Sequence, residues 1–121
     1  MLNVSYIKKI KKKVQDRKLD ILEVCYRYGG HIATSFSSTE ILCYLYYYFF
    51  NLKKNNILII SKGHCSELIY SILSDLKFFP KIWFEKHYAQ NKFKLGQHID
   101  KNIPGIAFSS GALGHGLPFA C

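Results

Sequence analysis

Three histidines stand beside glycines in the segments between apolar runs: Gly30-His31, Gly63-His64 and, with one residue between, Gly96-Gln97-His98. Imidazole titrates near neutrality and both donates and accepts protons, so histidines at the ends of helices and strands are suited to proton transfer. Any one of them alone reads as readily as a capping or hydrogen-bonding residue. Their repetition at three loops, together with a glycine-rich stretch, strengthens the case for site residues, and spacing takes the argument no further. That stretch is Ser109-Ser110-Gly111-Ala112-Leu113-Gly114-His115-Gly116-Leu117-Pro118. A backbone free of Cβ atoms can turn sharply and approach a ligand closely. Leu117, Phe119 and Ala120 open a helix there, with Pro118 in its first turn. A glycine loop feeding a helix N-terminus offers free N–H groups to a phosphate. The sequence stops at Cys121, so the expectation is a site begun here and completed elsewhere.

The elements that position these residues follow from hydrophobic spacing. Val4, Ile7, Ile10, Val14, Ile21, Cys25 and Tyr28 recur at three- and four-residue intervals, which predicts one amphipathic helix from Val4 to Tyr28, ended by Gly29-Gly30. Ser37 and Glu40 stand as a capping box ahead of a strongly apolar helix to about Phe50, expected to be buried on most sides. Asn51 to Asn56 form a polar turn. Ile57-Leu58-Ile59-Ile60 reads as a central parallel strand covered on both faces. A helix follows from about Ser66 to Leu76, and Pro80 opens another with Ile82, Trp83, Phe84 and Tyr88 on its apolar side. Asn91 to Ser110 reads as mostly loop. One strand alone leaves its backbone donors unsatisfied, and parallel partners arrive only after crossover helices. The fold class expected is therefore α/β, mostly helical in this portion, with partner strands outside it.

Composition sets the outer limits. The chain has 121 residues, enough for one domain or part of one, and its 49% hydrophobic content excludes wholesale disorder. The net charge of +9 gathers on the first helix, at Lys8, Lys9, Lys11, Lys12, Lys13, Arg17 and Lys18. No aromatic–basic recognition signature accompanies it, so a solvated helix face is the reading and no nucleic-acid partner is expected. The longest apolar run, Ile41 to Phe50, is shorter than the roughly 20 residues a bilayer requires, so no membrane is expected either. Cys25, Cys43, Cys65 and Cys121 form no C-x-x-C pair and no secretory signal precedes them, which fits reduced thiols in a cytoplasmic protein. Adjacent His64-Cys65 suits no ordinary tetrahedral zinc site.

Taken in order, Gly30-His31-Ile32…Ser35-Phe36-Ser37, Ile59-Ile60-Ser61-Lys62-Gly63-His64, His98…Pro104-Gly105-Ile106 and Ser110-Gly111-Ala112-Leu113-Gly114-His115-Gly116-Leu117 resemble the N-terminal region of transketolases. The likeness is greatest to the split type whose first chain carries the diphosphate-binding domain, and it covers nearly the whole chain. It implies a single partial domain over residues 1–121, from a three-layer thiamine-diphosphate-binding fold with a parallel sheet. It implies thiamine diphosphate as cofactor, which supplies a C2 carbanion that cleaves a ketose and passes two carbons to an aldose phosphate. By motif position His31 contacts substrate and assists proton transfer, and His98 lies near the reacting carbon or a substrate hydroxyl. His64 lies by the diphosphate, while Gly111, Ala112 and Leu113 line the cofactor. His115 and Gly116 are motif neighbours without a catalytic role, and His87 is structural.

The sequence also departs from the family pattern. Ala33-Thr34 stand where the family carries glycine after the first histidine, and Gln97 separates Gly96 from the third. The family's Gly-Asp-Gly…Asn motif, which binds the divalent metal (Mg²⁺ or another ion) bridging protein and diphosphate, is not among the 121 residues, so no metal ligand is assigned here. The activating Glu of the pyrimidine-binding domain is not identified in it either. The resemblance therefore implies a piece of a transketolase subunit, inactive alone. Its partners are sugar phosphates, a C-terminal transketolase subunit and a second copy of itself. The alternative is a shortened, non-catalytic relative that docks onto a full-length subunit through Leu42 to Phe50 and the first helix.

Overall fold

The computed structural model describes residues 4–50, 56–90 and 95–121. Helix α1 spans Val4–Tyr28, α2 Ile32–Tyr44, α3 Ser66–Asp75, α4 Lys81–His87 and α5 Gly116–Ala120; a single π-helical turn, Leu45–Phe49, widens the end of α2. The 25 residues of α1 match the span read from the apolar spacing. Val14, Ile21 and Cys25 of the stripe are buried, Ile10 and Tyr28 half-buried, and Val4 and Ile7 exposed. Gly29 ends the helix at φ +75°, its N–H bonded to the Cys25 carbonyl at 2.9 Å, as expected of a left-handed glycine stop.

Helix α3 is the centre of the described structure. Every residue from Ser66 to Ser74 is buried, and α1, α2 and α4 all pack on it. Its two sides differ in chemistry: Leu68, Ile69, Ile72 and Leu73 fill the core, whereas Glu67, Ser71 and Ser74 bury polar atoms that each find partners. Phe84 and Tyr88 close the core from α4 and the residue after it, while Ile82 and Trp83 stay exposed and Trp83 stacks on Phe79.

Two expectations about α2 are overturned. The helix begins at Ile32, so Ser37 is an interior residue and caps nothing. Gly30, at φ +149°, reverses the chain so sharply that Ser35 N–H reaches the His31 carbonyl at 3.1 Å and the helix starts at once. The hydroxyls of Ser37 and Ser38 turn back to the Thr34 carbonyl, each at 3.0 Å, and Glu40 is held by Lys18 at 2.6 Å. Nor is this helix buried on most sides: Leu42, Cys43 and Tyr46 face the core, but Ile41, Tyr44 and Phe49 are exposed.

The strand is the third correction. Residues 57–60 join no sheet, and among the described residues the one pairing of strand type is an isolated antiparallel bridge between Ile99 and Ser110. Ile57 is exposed and Leu58 to Ile60 half-buried. An apolar run becomes a central strand only when neighbours satisfy its backbone, and no described segment lies alongside to do so. The parallel sheet of the expected α/β class is thus not seen here, whereas the mostly helical character is. The readings at 51–55 and 91–94 lie outside the described residues. No described helix is long and apolar enough to cross a membrane.

The basic face of α1 is divided. Lys8, Lys9, Lys11 and Lys12 are exposed, as read, but Arg17 is buried and tied to Asp20 at 2.9 Å and Asp75 at 3.1 Å. Lys13 and Tyr47 also bond Asp75, each at 2.7 Å.

Candidate functional site

Three loops bring the three histidines together. His31 follows the Gly29-Gly30 turn, His64 lies in the turn that opens α3, and His98 lies in the segment after α4. Their ring centroids form a triangle of 5.0 Å (His31–His64), 5.1 Å (His64–His98) and 6.0 Å (His31–His98). Side chains far apart in sequence thus face one another. His31 and His64 are half-buried and His98 exposed, so the group opens to solvent on the His98 side.

The backbone around the triangle is pinned by side chains the sequence reading did not single out. The Thr34 hydroxyl bonds the carbonyls of both His31 and His64. The Lys62 ammonium donates to the Thr34 carbonyl at 2.9 Å and to Ser38 Oγ at 2.7 Å, tying the Ser61-Lys62-Gly63-His64 turn to the start of α2. Tyr70 OH bonds the His98 carbonyl at 2.8 Å. The position where the resemblance led us to expect glycine, Thr34, is therefore a fastening between two of the histidine loops.

Beneath His31 lies Glu67, with no exposed surface at all. Its Oε1 accepts His31 N–H at 2.7 Å and Tyr88 OH at 2.7 Å, and its Oε2 accepts Ser35 Oγ–H at 2.8 Å. Burial, with the Glu67 carboxylate beside it, raises Tyr88 well above the ordinary phenol range, so Tyr88 remains a donor. Ser66 Oγ stands 3.1 Å from the same phenol oxygen. One sequence signal pointed at Glu67: it is the lone acid inside the apolar run 66–73. Burial also pushes the thiols of Cys25 and Cys65 up to about 11, Cys25 under the added influence of Glu67, so both stay protonated at neutral pH.

The glycine stretch packs against the same turn. A Cβ on Gly63 would overlap the Ser110 carbonyl and come within 2.7 Å of Gly111 Cα, so only glycine allows this approach. Ser61 holds the stretch from the other side, accepting Gly114 N–H at its carbonyl (3.0 Å) and Gly116 N–H at its hydroxyl (2.9 Å). Gly111 lies beside His98: a Cβ built there would be 3.8 Å from the imidazole Cδ2. His98, Asp100, Ser109, Ser110 and Gly111 line a hollow of about 310 Å³. Ala112 is exposed and Leu113 is 74% exposed, so neither packs into the core. Ser110 Oγ is buried beside this cleft and has no hydrogen-bond partner among the described residues. His87 and His115 do not join the triangle. Among the described residues no group of three His, Cys, Asp or Glu side chains is arranged to hold a metal ion.

A buried acid thus lies under a cluster of imidazoles beside a glycine-bounded cleft, and imidazoles so placed are chemically able to accept and donate protons. No protein-family model matches the chain. It is similar to a subunit of the apulose-4-phosphate transketolase of Actinobacillus succinogenes, 32% identical over 126 aligned positions that cover 98% of this chain and 46% of the relative. The corresponding subunit from Phocaeicola vulgatus, which carries the same name, is 31% identical over 107 positions, covering 80% of this chain and 37% of the relative. These matches bear out the resemblance drawn from the motifs: both relatives are named as a transketolase subunit. The chain spans less than half the length of either relative.

Proposed function

We propose that this chain supplies the diphosphate-binding side of a transketolase site, acting in two-carbon ketol transfer from a ketose to an aldose phosphate. The observation that carries the reading is the convergence of His31, His64 and His98 from three separate loops onto the cleft bounded by Gly63 and Gly111. The related chains are named for apulose 4-phosphate, and a phosphosugar is the substrate class we assign here.

The residues present fit part of such a cofactor. Gly111 lets backbone come close beside His98, Ser110 Oγ is an unpaired buried polar atom, and Leu113 offers an uncovered apolar side chain to a pyrimidine ring. Thiamine diphosphate, when bound, supplies the carbanion that the side chains of a protein lack. In our reading His64 lies toward the diphosphate, while His31 and His98 hold and move protons on the sugar hydroxyls and carbonyl oxygen. A divalent cation and its ligands belong to regions outside these 121 residues in this reading, as do the activating Glu of a C-terminal subunit and a second copy of the chain. The cytoplasm is the compartment we assign.

The test is ketol transfer between phosphosugars, assayed with thiamine diphosphate and Mg²⁺ after co-expression with the C-terminal transketolase subunit of the same organism. His31→Ala and His98→Ala are each expected to lower kcat by about 10²- to 10⁴-fold, the ordinary worth of a positioned acid or base. His64→Ala is expected to weaken cofactor binding, read by calorimetry. Transfer at wild-type rate in all three variants refutes the assignment. If the wild-type pair associates without any transfer, a non-catalytic interaction protein becomes the better reading. Its contact would then run through Ile41, Tyr44 and Phe49, since Leu42, Cys43 and Tyr46 are in the core.

A further inference from the structure

His31 Nδ1 is buried and has no hydrogen-bond partner, and Glu67 Oε1 stands 3.7 Å away. That gap is too long for a hydrogen bond and short enough for a small ring rotation to close. The other polar groups around the carboxylate are already committed to it as donors: His31 N–H, Ser35 Oγ–H and Tyr88 OH. Glu67 therefore receives three donors and gives none, the pattern of an ionised, acceptor-only carboxylate. Glu67 also lies in the first turn of α3, where a negative charge is favoured. Gly30 completes the arrangement. A Cβ there would run into Glu67 Oε1 and lie 2.9 Å from Cys25 Sγ, so the turn is shaped to let the carboxylate reach the His31 backbone.

We propose that Glu67 is a positioning residue for His31: it fixes the loop through the backbone N–H and holds the ring proton on Nδ1. This leaves Nε2, on the far side of the ring, with a free lone pair for the ligand. The arrangement is that of a carboxylate behind a histidine, in which the acid sets the tautomer and orientation of the imidazole and does not itself exchange the substrate's proton. The purpose assigned to it rests on the ketol-transfer reading; the arrangement itself does not, since it concerns only residues of this chain.

The test uses the full chain without cofactor or sugar, so its failure is separate from failure of that reading. Two-bond ¹H–¹⁵N correlation spectra of the imidazoles report the tautomer of neutral His31. The expected result is the Nδ1–H form in the native protein, retained in Glu67→Gln, whose amide oxygen still accepts, and lost to the Nε2–H form in Glu67→Leu. An Nε2–H tautomer in the native protein overturns the proposal. So does an Nδ1–H tautomer that survives in folded Glu67→Leu. If Glu67→Leu fails to fold, the native tautomer together with the Glu67→Gln spectrum decides.

Discussion

Asp75 shows how one side chain can carry a measurable part of the stability. Burial alone would raise its carboxyl, but hydrogen bonds from Lys13 and Tyr47 and the charge of Arg17 outweigh that and hold it at about 2. An unfolded aspartate titrates near 3.9. The folded state therefore binds the proton less readily, and the stabilisation is complete above about pH 4 and lost as the pH falls through about 2. Asp75→Asn is expected to cost about 2 kcal/mol at pH 7, because it leaves the buried Arg17 with Asp20 as its one carboxylate partner. In urea titrations the wild-type advantage over Asp75→Asn should shrink between pH 4 and pH 2. A constant difference across that range would refute the account. At this scale the sequence was partly legible. His31, His64 and His98 stood out because glycine beside a loop histidine is a local signal. Glu67 and the fastening roles of Thr34 and Lys62 did not, because most of their partners lie 21 to 36 residues away and only packing brings them together.

Helices α1 and α3 were readable because their spacing is local and their stops are chemical: glycines after Tyr28, and an apolar period broken after Leu76. The start of α2 was not. A capping-box pattern at Ser37 is a genuine local preference, but the Gly29-Gly30 reversal and the Glu67 acceptor settle the helix six residues earlier, and tertiary contacts outweigh the cap. The same distinction separates two glycines in the site. Gly63 meets backbone on the facing stretch, so Gly63→Ala must push Ser110 and Gly111 away from His64 and is expected to cost about 1–3 kcal/mol. Gly96 has nothing nearer than the His98 backbone at 3.9 Å, so Gly96→Ala should stay within about 0.5 kcal/mol of wild type. Thermal melting of the two variants side by side checks this; equal losses would mean that the glycine stretch is not held against the histidine turn.

For the molecule as a whole, the distribution of apolar surface matters more than any element. Ile41 and Phe49 on one side, Ile57 at the run that joins no sheet, and Leu117 and Phe119 on the short α5 are each about two-thirds exposed. Scattered exposed apolar residues are ordinary. A run such as Ile57 to Ile60, apolar at every position and in no sheet among the described residues, is not, because both its faces and its hydrogen-bonding groups call for cover. The relatives extend well beyond the aligned region, which is 46% and 37% of their lengths. The expectation of a parallel strand rested on the apolar pattern of that run alone, and pairing is a property of two strands that one run cannot reveal. The isolated 121-residue chain is accordingly expected to bind a hydrophobic dye such as ANS under native conditions and to elute above its 14.0 kDa mass in size-exclusion chromatography. Ile59→Asp, placed in the half-buried middle of the run, should reduce the self-association while leaving the α1–α3 core and its helical circular dichroism in place. A dye-silent monomer in the wild-type chain would show that residues 57–60 are adequately covered by the helices already present.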